Sequence, residues 1–331
     1  MFHPLIIIRR IPNIDFMGLH KIGFAFSALL TVGSILLFLV QGLNYGIDFA
    51  GGIIIEARTS QGPADLAGMR AKLDGLGIGE VSLQGFGSPD DVLIRVPRQP
   101  GSDAAQEKAV ETVKSALGDN IDYRRTDVVG PTVGHELVFK GVMATIAALF
   151  AIAAYVWFRF EWQFGVGAML STLHDTITTV GLFSLLQIEF NLTTLAAILT
   201  IAGYSINDTV VIYDRIRETM RKFKSLDFKQ LINKSLNETL SRTILTVSTT
   251  ALAVLSLFLF GGEVLKGFSI AMLWGIVIGT YSSLFIAAPL LYYIRPKGVI
   301  DRKPAPGTTG APIPPTPSGP QTTSGPGPAS P

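Results

Sequence analysis

Asp208 is the residue whose chemistry most needs an explanation. It sits inside residues 192–213, a run otherwise free of charge and long enough to cross a bilayer. A carboxylate at that depth costs about 3 kcal/mol or more, so such an acid normally has a partner or a task. The word around it, Gly203-Tyr204-Ser205-Ile206-Asn207-Asp208-Thr209, supplies the hydroxyl, amide and small groups that a proton or ion site uses. The plainer alternative is an Asp held in a hydrogen bond between helices.

Arg242 is the candidate partner. It opens the run 243–260 within Leu240-Ser241-Arg242-Thr243. Asp208 is five residues before Tyr213, or ~8 Å along a helix, so the long Arg side chain could reach it. Arg242 could equally snorkel to lipid headgroups. Thr246, Thr249 and Thr250 follow Arg242 at helical spacing, and Tyr204 lies one turn from Asp208. The run 164–186 holds His174 and Asp175 near its middle, with Thr172 and Thr179 on the Asp175 face. Three apolar runs thus each carry an ionisable group and hydroxyls, which is how proton relays are lined. Burial favours a protonated acid and a nearby guanidinium favours the carboxylate, so a movable Arg–Asp pair is a switch.

The elements that must position these groups are membrane spans. Of 331 residues, 48% are hydrophobic and 16% charged, and the net charge of +2 is too small to suggest nucleic-acid binding. A soluble domain carries about 25% charged residues. There is no cysteine, the four His have no metal-ligand spacing, and no P-loop word occurs. Six runs satisfy the spanning criterion: 22–41, 138–158, 164–186, 192–213, 243–260 and 267–294. The first reads as an anchor rather than a cleaved signal. Arg9, Arg10, Lys21 and Arg159 fall on one side of six crossings, with the basic residues of 214–240 and those after Ile294. The positive-inside rule then puts both termini, including residues 1–21, in the cytoplasm.

Residues 48–130 interrupt the short connections. Strand-like runs at 53–58, 81–86, 91–96 and 121–129 and helix-like runs at 64–73 and 103–117 give the order βαββαβ, the split βαβ or ferredoxin-like arrangement. His135 and Glu136 fit the start of a juxtamembrane helix. Residues 214–240 read as a basic, amphipathic cytoplasmic loop in which Phe228, Leu231, Ile232, Ser235 and Leu236 recur at helical spacing, which suits either a helix lying on anionic lipid or one packed on the bundle. Small residues at Gly275, Gly279 and Ser283, and at Ala147 and Ala151, predict close helix packing. Pro289 predicts a kink, and the Pro-rich 304–331 cannot bury a core.

Several words together carry a resemblance. They are Ile14-Asp15-Phe16-Met17, Gly46-Ile47-Asp48-Phe49-Ala50-Gly51-Gly52, Val129-Gly130-Pro131-Thr132-Val133-Gly134, His174-Asp175, the stretch 203–218, Glu238-Thr239-Leu240-Ser241-Arg242-Thr243 and Leu265-Lys266-Gly267-Phe268. With them, residues 13–295 resemble the SecF family, the membrane subunits of the SecDF accessory complex of bacterial protein export, within the resistance-nodulation-division superfamily. The resemblance implies an α-helical polytopic protein of the inner membrane: six transmembrane helices, half of a pseudo-symmetric bundle, with a ferredoxin-like α+β periplasmic domain between the first two.

It also implies a proton path through Asp208 and Arg242, to which the residue pattern adds Asp175 and His174, with Tyr204, Asn207 and Thr246 as polar support. Either Asp175 or Asp208 could be the rate-determining acid. The implied partners are SecD, the SecYEG channel, YajC and the unfolded chain in transit, and a proton gradient stands in place of any cofactor. No enzyme is implied. Two rivals remain: a proton-coupled exporter component for small molecules or lipids, and a non-transporting assembly scaffold.

Overall fold

The structure is a computed structural model that describes residues 12–60, 62–85, 88–118 and 120–296. The basic pair Arg9 and Arg10, the cations from Lys297 onward and the segment 304–331 lie outside these residues.

Helix α1 (Phe16–Gln41) begins on a cap: Asp15 accepts from the Gly18 amide at 2.8 Å, satisfying one of the helix's free N–H groups. The helix therefore starts six residues before the apolar run does. A one-turn helix, α2 (Ile47–Ala50), leads into a β-sheet.

That sheet contains β1 (Gly52–Thr59), β2 (Ser82–Gly85), β3 (Asp91–Pro97) and β4 (Ile121–Val129), in the order β2-β3-β1-β4 with every neighbouring pair antiparallel. Helices α3 (Leu66–Leu73) and α4 (Asp103–Leu117) complete the domain. Alternation sets its core: Ile53, Ile55 and Ala57 of β1 point inward and meet Leu73, Val113 and Leu117 of the helices. Arg58 clasps Asp91 at 2.6 and 2.7 Å, and this guanidinium holds the Asp91 carboxyl below the usual carboxylate range.

The bundle is formed by α1, α5 (Pro131–Arg159), α6 (Trp162–Leu186), α7 (Leu192–Lys222), α8 (Phe228–Phe260) and α9 (Gly262–Ser282). A π-helical turn, Ser283–Ala287, joins α9 to α10 (Ala288–Ile294). Pro289 accounts for the turn: it has no N–H for the carbonyl four residues back, and the ladder widens so that the Ala288 amide bonds to Ser283 O.

Among the described residues, five helical segments are long and apolar enough to cross a membrane: Phe16–Gln41, Gly134–Arg159, Leu192–Lys222, Phe228–Phe260 and Leu265–Ile294. The run 164–186, expected as a sixth span, is helical as α6 but is not among them. Ser171, Thr172, His174, Asp175, Thr178 and Thr179 dilute its hydropathy, and all six are buried. Packing against α1, α5, α7 and α9 on every side makes the polar content tolerable.

Two further expectations change. Residues 214–240 are not a loop but the ends of two long helices, with only 223–227 between them. Phe228, Leu231, Ile232 and Leu236 are buried in one core with Phe16, Met17, Ile212 and Ile216, so the amphipathic stretch packs on the bundle instead of lying on lipid. The predicted small-residue faces divide. On α9, Gly275 meets Ile201 and Gly279 meets Ser205, and at the π-helical turn that follows, Ser283 bonds Thr209 at 2.7 Å. Ala147 and Ala151 are exposed, because α5 approaches Gly165 of α6 through its Ala153 and Trp157 side.

Candidate functional site

Two polar centres lie on either side of α7. The first is built on Asp175 of α6, which is fully buried. Its Oδ2 accepts hydroxyl hydrogens from Ser205 of α7 at 2.6 Å and from Ser282 of α9 at 2.8 Å. Its Oδ1 lies 3.0 Å from His174 Nδ1. Ser171 extends the net by donating to Ser282 at 2.9 Å. Thr178 and Thr179 bond back to the Asp175 carbonyl.

Helical geometry explains the convergence. Ser205 and Thr209 are one turn apart and share a face of α7, so Ser205 meets α6 and Thr209 meets Ser283 at the π-helical turn. Within 4.0 Å, His174 is the only basic group at Asp175 among the described residues. The other imidazole nitrogen, Nε2, is buried without a partner. A carboxyl enclosed by hydroxyls and one imidazole is able to share or pass a proton but has no fixed cation to neutralise it.

The second centre is built on Asp208, which faces α8. It is 5% exposed, and its Oδ2 is buried without a hydrogen-bond partner. Thr243 of α8 is the hydroxyl that approaches the carboxyl. Arg242 acts on it through space, but no ion pair within 4.0 Å joins the two among the described residues. Arg242 is exposed on the outer side of α8. The expected Arg–Asp contact is therefore open here. Tyr204, one turn from Asp208, brings its buried Oη near Thr250 without a well-formed hydrogen bond.

The remaining predicted groups separate from both centres. Asn207 is exposed on α7. The Thr246 hydroxyl bonds back to the Arg242 carbonyl at 3.0 Å and so contributes nothing to either acid. Sequence reasoning missed Ser171, Ser282 and Thr243 as site groups. The Ser282-Ser283 pair inside an apolar run was the available signal, but Ser283 was assigned to packing alone. No group of three or more His, Cys, Asp or Glu suited to a metal exists among the described residues.

Comparison with known proteins decides the family. Residues 109–297 match the family described as "Protein export membrane protein SecD/SecF, C-terminal", and residues 36–63 match the "SecD/SecF GG Motif". The chain belongs to the SecD/SecF family. Within the family it is similar to SecF. It is 49% identical over 293 residues to the "Protein translocase subunit SecF" of Rickettsia rickettsii, covering 86% of this chain and 94% of that one. The SecF subunit of Rickettsia prowazekii is 47% identical over the same number of residues, covering 86% and 93%.

Among solved structures, SecDF of Thermus thermophilus, described as a translocon-associated membrane protein, superposes with a TM-score of 0.70 at 36% identity. That match covers 86% of this chain and 39% of the SecDF chain. A SecDF in a super-membrane-facing form gives a TM-score of 0.68 at the same identity. The protein is accordingly a multi-pass bacterial membrane protein of the Sec export pathway and not an enzyme.

Proposed function

We propose that this chain is one half of a SecD–SecF pair in the cytoplasmic membrane and that protons entering through Asp208 drive late steps of protein export. The reading rests on the buried, unpartnered Oδ2 of Asp208. An acid left so at membrane depth is costly unless it is loaded and unloaded in use. Arg242, held near but out of contact, supplies the charge that would favour proton release on approach. A proton moving down 100 mV yields about 2.3 kcal/mol, enough to bias a conformational step of that size.

Partnership with SecD is supported by what the lone chain leaves uncovered. Thr200, Gly203 and Asn207 form an exposed stripe on α7, and Arg242, Ser248 and Ser256 are exposed on α8. Small and polar residues on membrane helices favour contact with another helix over contact with lipid. The sixth crossing is α6, the external domain takes the ferredoxin-like form, and it lies on the periplasmic side. Arg159, Arg215, Arg217, Lys222 and Lys234 gather at the opposite end of the bundle, which supports cytoplasmic termini. In the same reading the SecYEG channel receives the force and the unfolded chain in transit is the cargo.

The first centre, on Asp175, supports a variant of this reading. Asp175 joins three helices through one carboxyl, so a change in its proton would be felt in α6, α7 and α9 together. Asp175 and His174 then form an inner proton site, and Asp208 the outer.

The test is gradient-dependent release of an exported precursor from vesicles that contain SecD with this chain, its Asp208→Asn form or its Asp175→Asn form. Asp208→Asn is expected to abolish the gradient-dependent part while complex assembly is unchanged. Equal release by Asp208→Asn and the native chain would overturn the reading and leave an assembly scaffold in its place. Loss with Asp175→Asn alone would move the working acid inward.

A further inference from the structure

We infer that Arg95 of the external sheet and Glu189 of the α6–α7 turn form a strut that makes the sheet and α7 move as one body. The inference rests on the proposed export cycle for its purpose, but not for its geometry.

The covalent links between sheet and bundle run through glycines, whose backbone freedom leaves each link able to act as a hinge. β1 is entered through Gly51 and Gly52, whose φ values of 77° and 154° lie where other residues are strained. β4 leaves through Gly130, where an added Cβ would meet open space. Chain connectivity alone would let the sheet pivot at both points.

Non-covalent contacts prevent the pivot on the bundle side of the glycines. Tyr45 and Phe190 form a parallel β-bridge, with Gly46 N to Phe190 O at 2.9 Å and Phe190 N to Asn44 O at 2.7 Å. Asp48 Oδ2 accepts from the Leu192 amide at 3.0 Å, at the first residue of α7. Asn44 donates to the Gln187 carbonyl at 3.0 Å. Phe49 stacks on Phe190 with ring centroids 5.7 Å apart. The segment before the hinge is thus bound to the start of the helix that carries Asp208.

Arg95 spans the hinge. It lies in β3, beyond Gly51 and Gly52, and its Nη1 meets Glu189 Oε1 at 2.6 Å. The side chains are only 15% and 28% exposed, so solvent screens the pair weakly. Its Nε is buried without another partner, so Glu189 carries most of the compensation for the buried charge. From Leu192 to Asp208 is ~24 Å of continuous helix. A displacement of the sheet at Arg95 therefore reaches Glu189, then α7, then the acid.

The test uses the absence of cysteine in the chain. Spin labels on Arg124→Cys of β4 and Leu186→Cys at the end of α6 report the sheet-to-bundle distance in vesicles containing SecD. A narrow distribution is expected for the native pair, a broad one for Arg95→Gln, and a narrow one again for the charge swap Arg95→Glu with Glu189→Arg. An unchanged narrow distribution in Arg95→Gln overturns the strut. In the same vesicles, without labels, Arg95→Gln should keep proton uptake and lose gradient-dependent release, with the swap restoring release. Uptake and release both at native levels in Arg95→Gln would also overturn it. Failure of the native chain to take up protons would instead sink the proposed function and leave the distance result standing on its own.

Discussion

Ser205 donates its hydroxyl hydrogen to Asp175 Oδ2 across 2.6 Å, tying the middle of α7 to the middle of α6. Ser282 donates to the same oxygen from α9, so three helices meet at one atom. Asp175→Ala removes the acceptor of both hydroxyls and the partner of His174. Interhelical hydrogen bonds in bilayers are worth ~0.6–2 kcal/mol each, and orphaned buried groups add to the loss. The expected destabilisation is about 2–4 kcal/mol for Asp175→Ala and about 1 kcal/mol for Ser205→Ala. Reversible unfolding in detergent measures both; equal stability of Asp175→Ala and the native protein would show that the net does not hold the helices.

The two faces of α7 should respond differently to added volume. A Cβ on Gly279 of α9 would lie 3.1 Å from Ser205 Cβ, tighter than ordinary contact. Gly279→Val is expected to cost about 1–3 kcal/mol through overpacking. Gly203, on the exposed side of α7, has nothing within 4 Å of an added Cβ. Gly203→Leu should therefore leave the unfolding of the isolated chain unchanged and weaken its co-purification with SecD. A stable complex carrying Gly203→Leu would remove the α7 stripe from the partner surface.

These contrasts mark what was legible in the sequence. The order βαββαβ could be read because strand alternation and the helix-cap and glycine signals are local, and the four-stranded antiparallel sheet follows it. The small-residue face of α9 could be read because packing without side-chain bulk leaves a four-residue period. Asp175 and Asp208 stand out as acids in apolar runs, but their partners do not. Which hydroxyl meets which acid depends on the rotation of each helix, and a drift of ~20° per heptad, accumulated over the 25 residues of α6, is invisible in spacing alone. Arg242 was paired with Asp208 by depth, yet it projects from the exposed side of α8. The extent of 214–240 as helix was hidden because its burial depends on the distant Phe16 and Met17.

The start of α1 depends on two amides of α8. Asn237 accepts from the Ile14 amide at 2.9 Å and donates to its carbonyl at 2.8 Å, while Asn233 accepts from the Met17 amide and donates to Asp15. Asn237→Ala should cost about 1–3 kcal/mol by leaving the Ile14 groups unpaired. Proteolysis near residue 14, read by mass spectrometry, should become faster; unchanged protection would mean that Phe16 and Met17 hold the segment without the amides.

The same contact sets a pH dependence. The Asn233 amide, with the Gly18 N–H, holds the Asp15 carboxyl below its ordinary value of 3.8. A depressed carboxylate contributes stability that is present above the unfolded value and is lost as pH falls through the folded one. The contribution is therefore intact at neutral pH and disappears below about pH 4. Because Asp15 is largely exposed, the effect should be small and reduced by salt. Asn233→Ala should flatten the low-pH part of the stability curve, and Asp15→Asn should remove it; an identical acid slope in all three proteins would assign it to other carboxylates.

The glycine at the entrance to the sheet makes the sharpest prediction for the external domain. Gly52 pairs with Pro97 and Val129 at the ends of β3 and β4, and its φ of 154° borders the region that favours glycine. An added Cβ would lie 2.6 Å from Val96 O, a backbone atom that cannot move without breaking the β1–β3 ladder. Gly52→Ala should therefore cost more than the ~1 kcal/mol typical of a simple glycine replacement. Hydrogen exchange should show faster opening of β1 and β3 while α6 and α7 remain protected. Gly130→Ala, with open space around it, serves as the control and should exchange like the native chain. Equal exchange in Gly52→Ala would mean that the strand start shifts freely, and that the close approach at Val96 does not fix the sheet's entry.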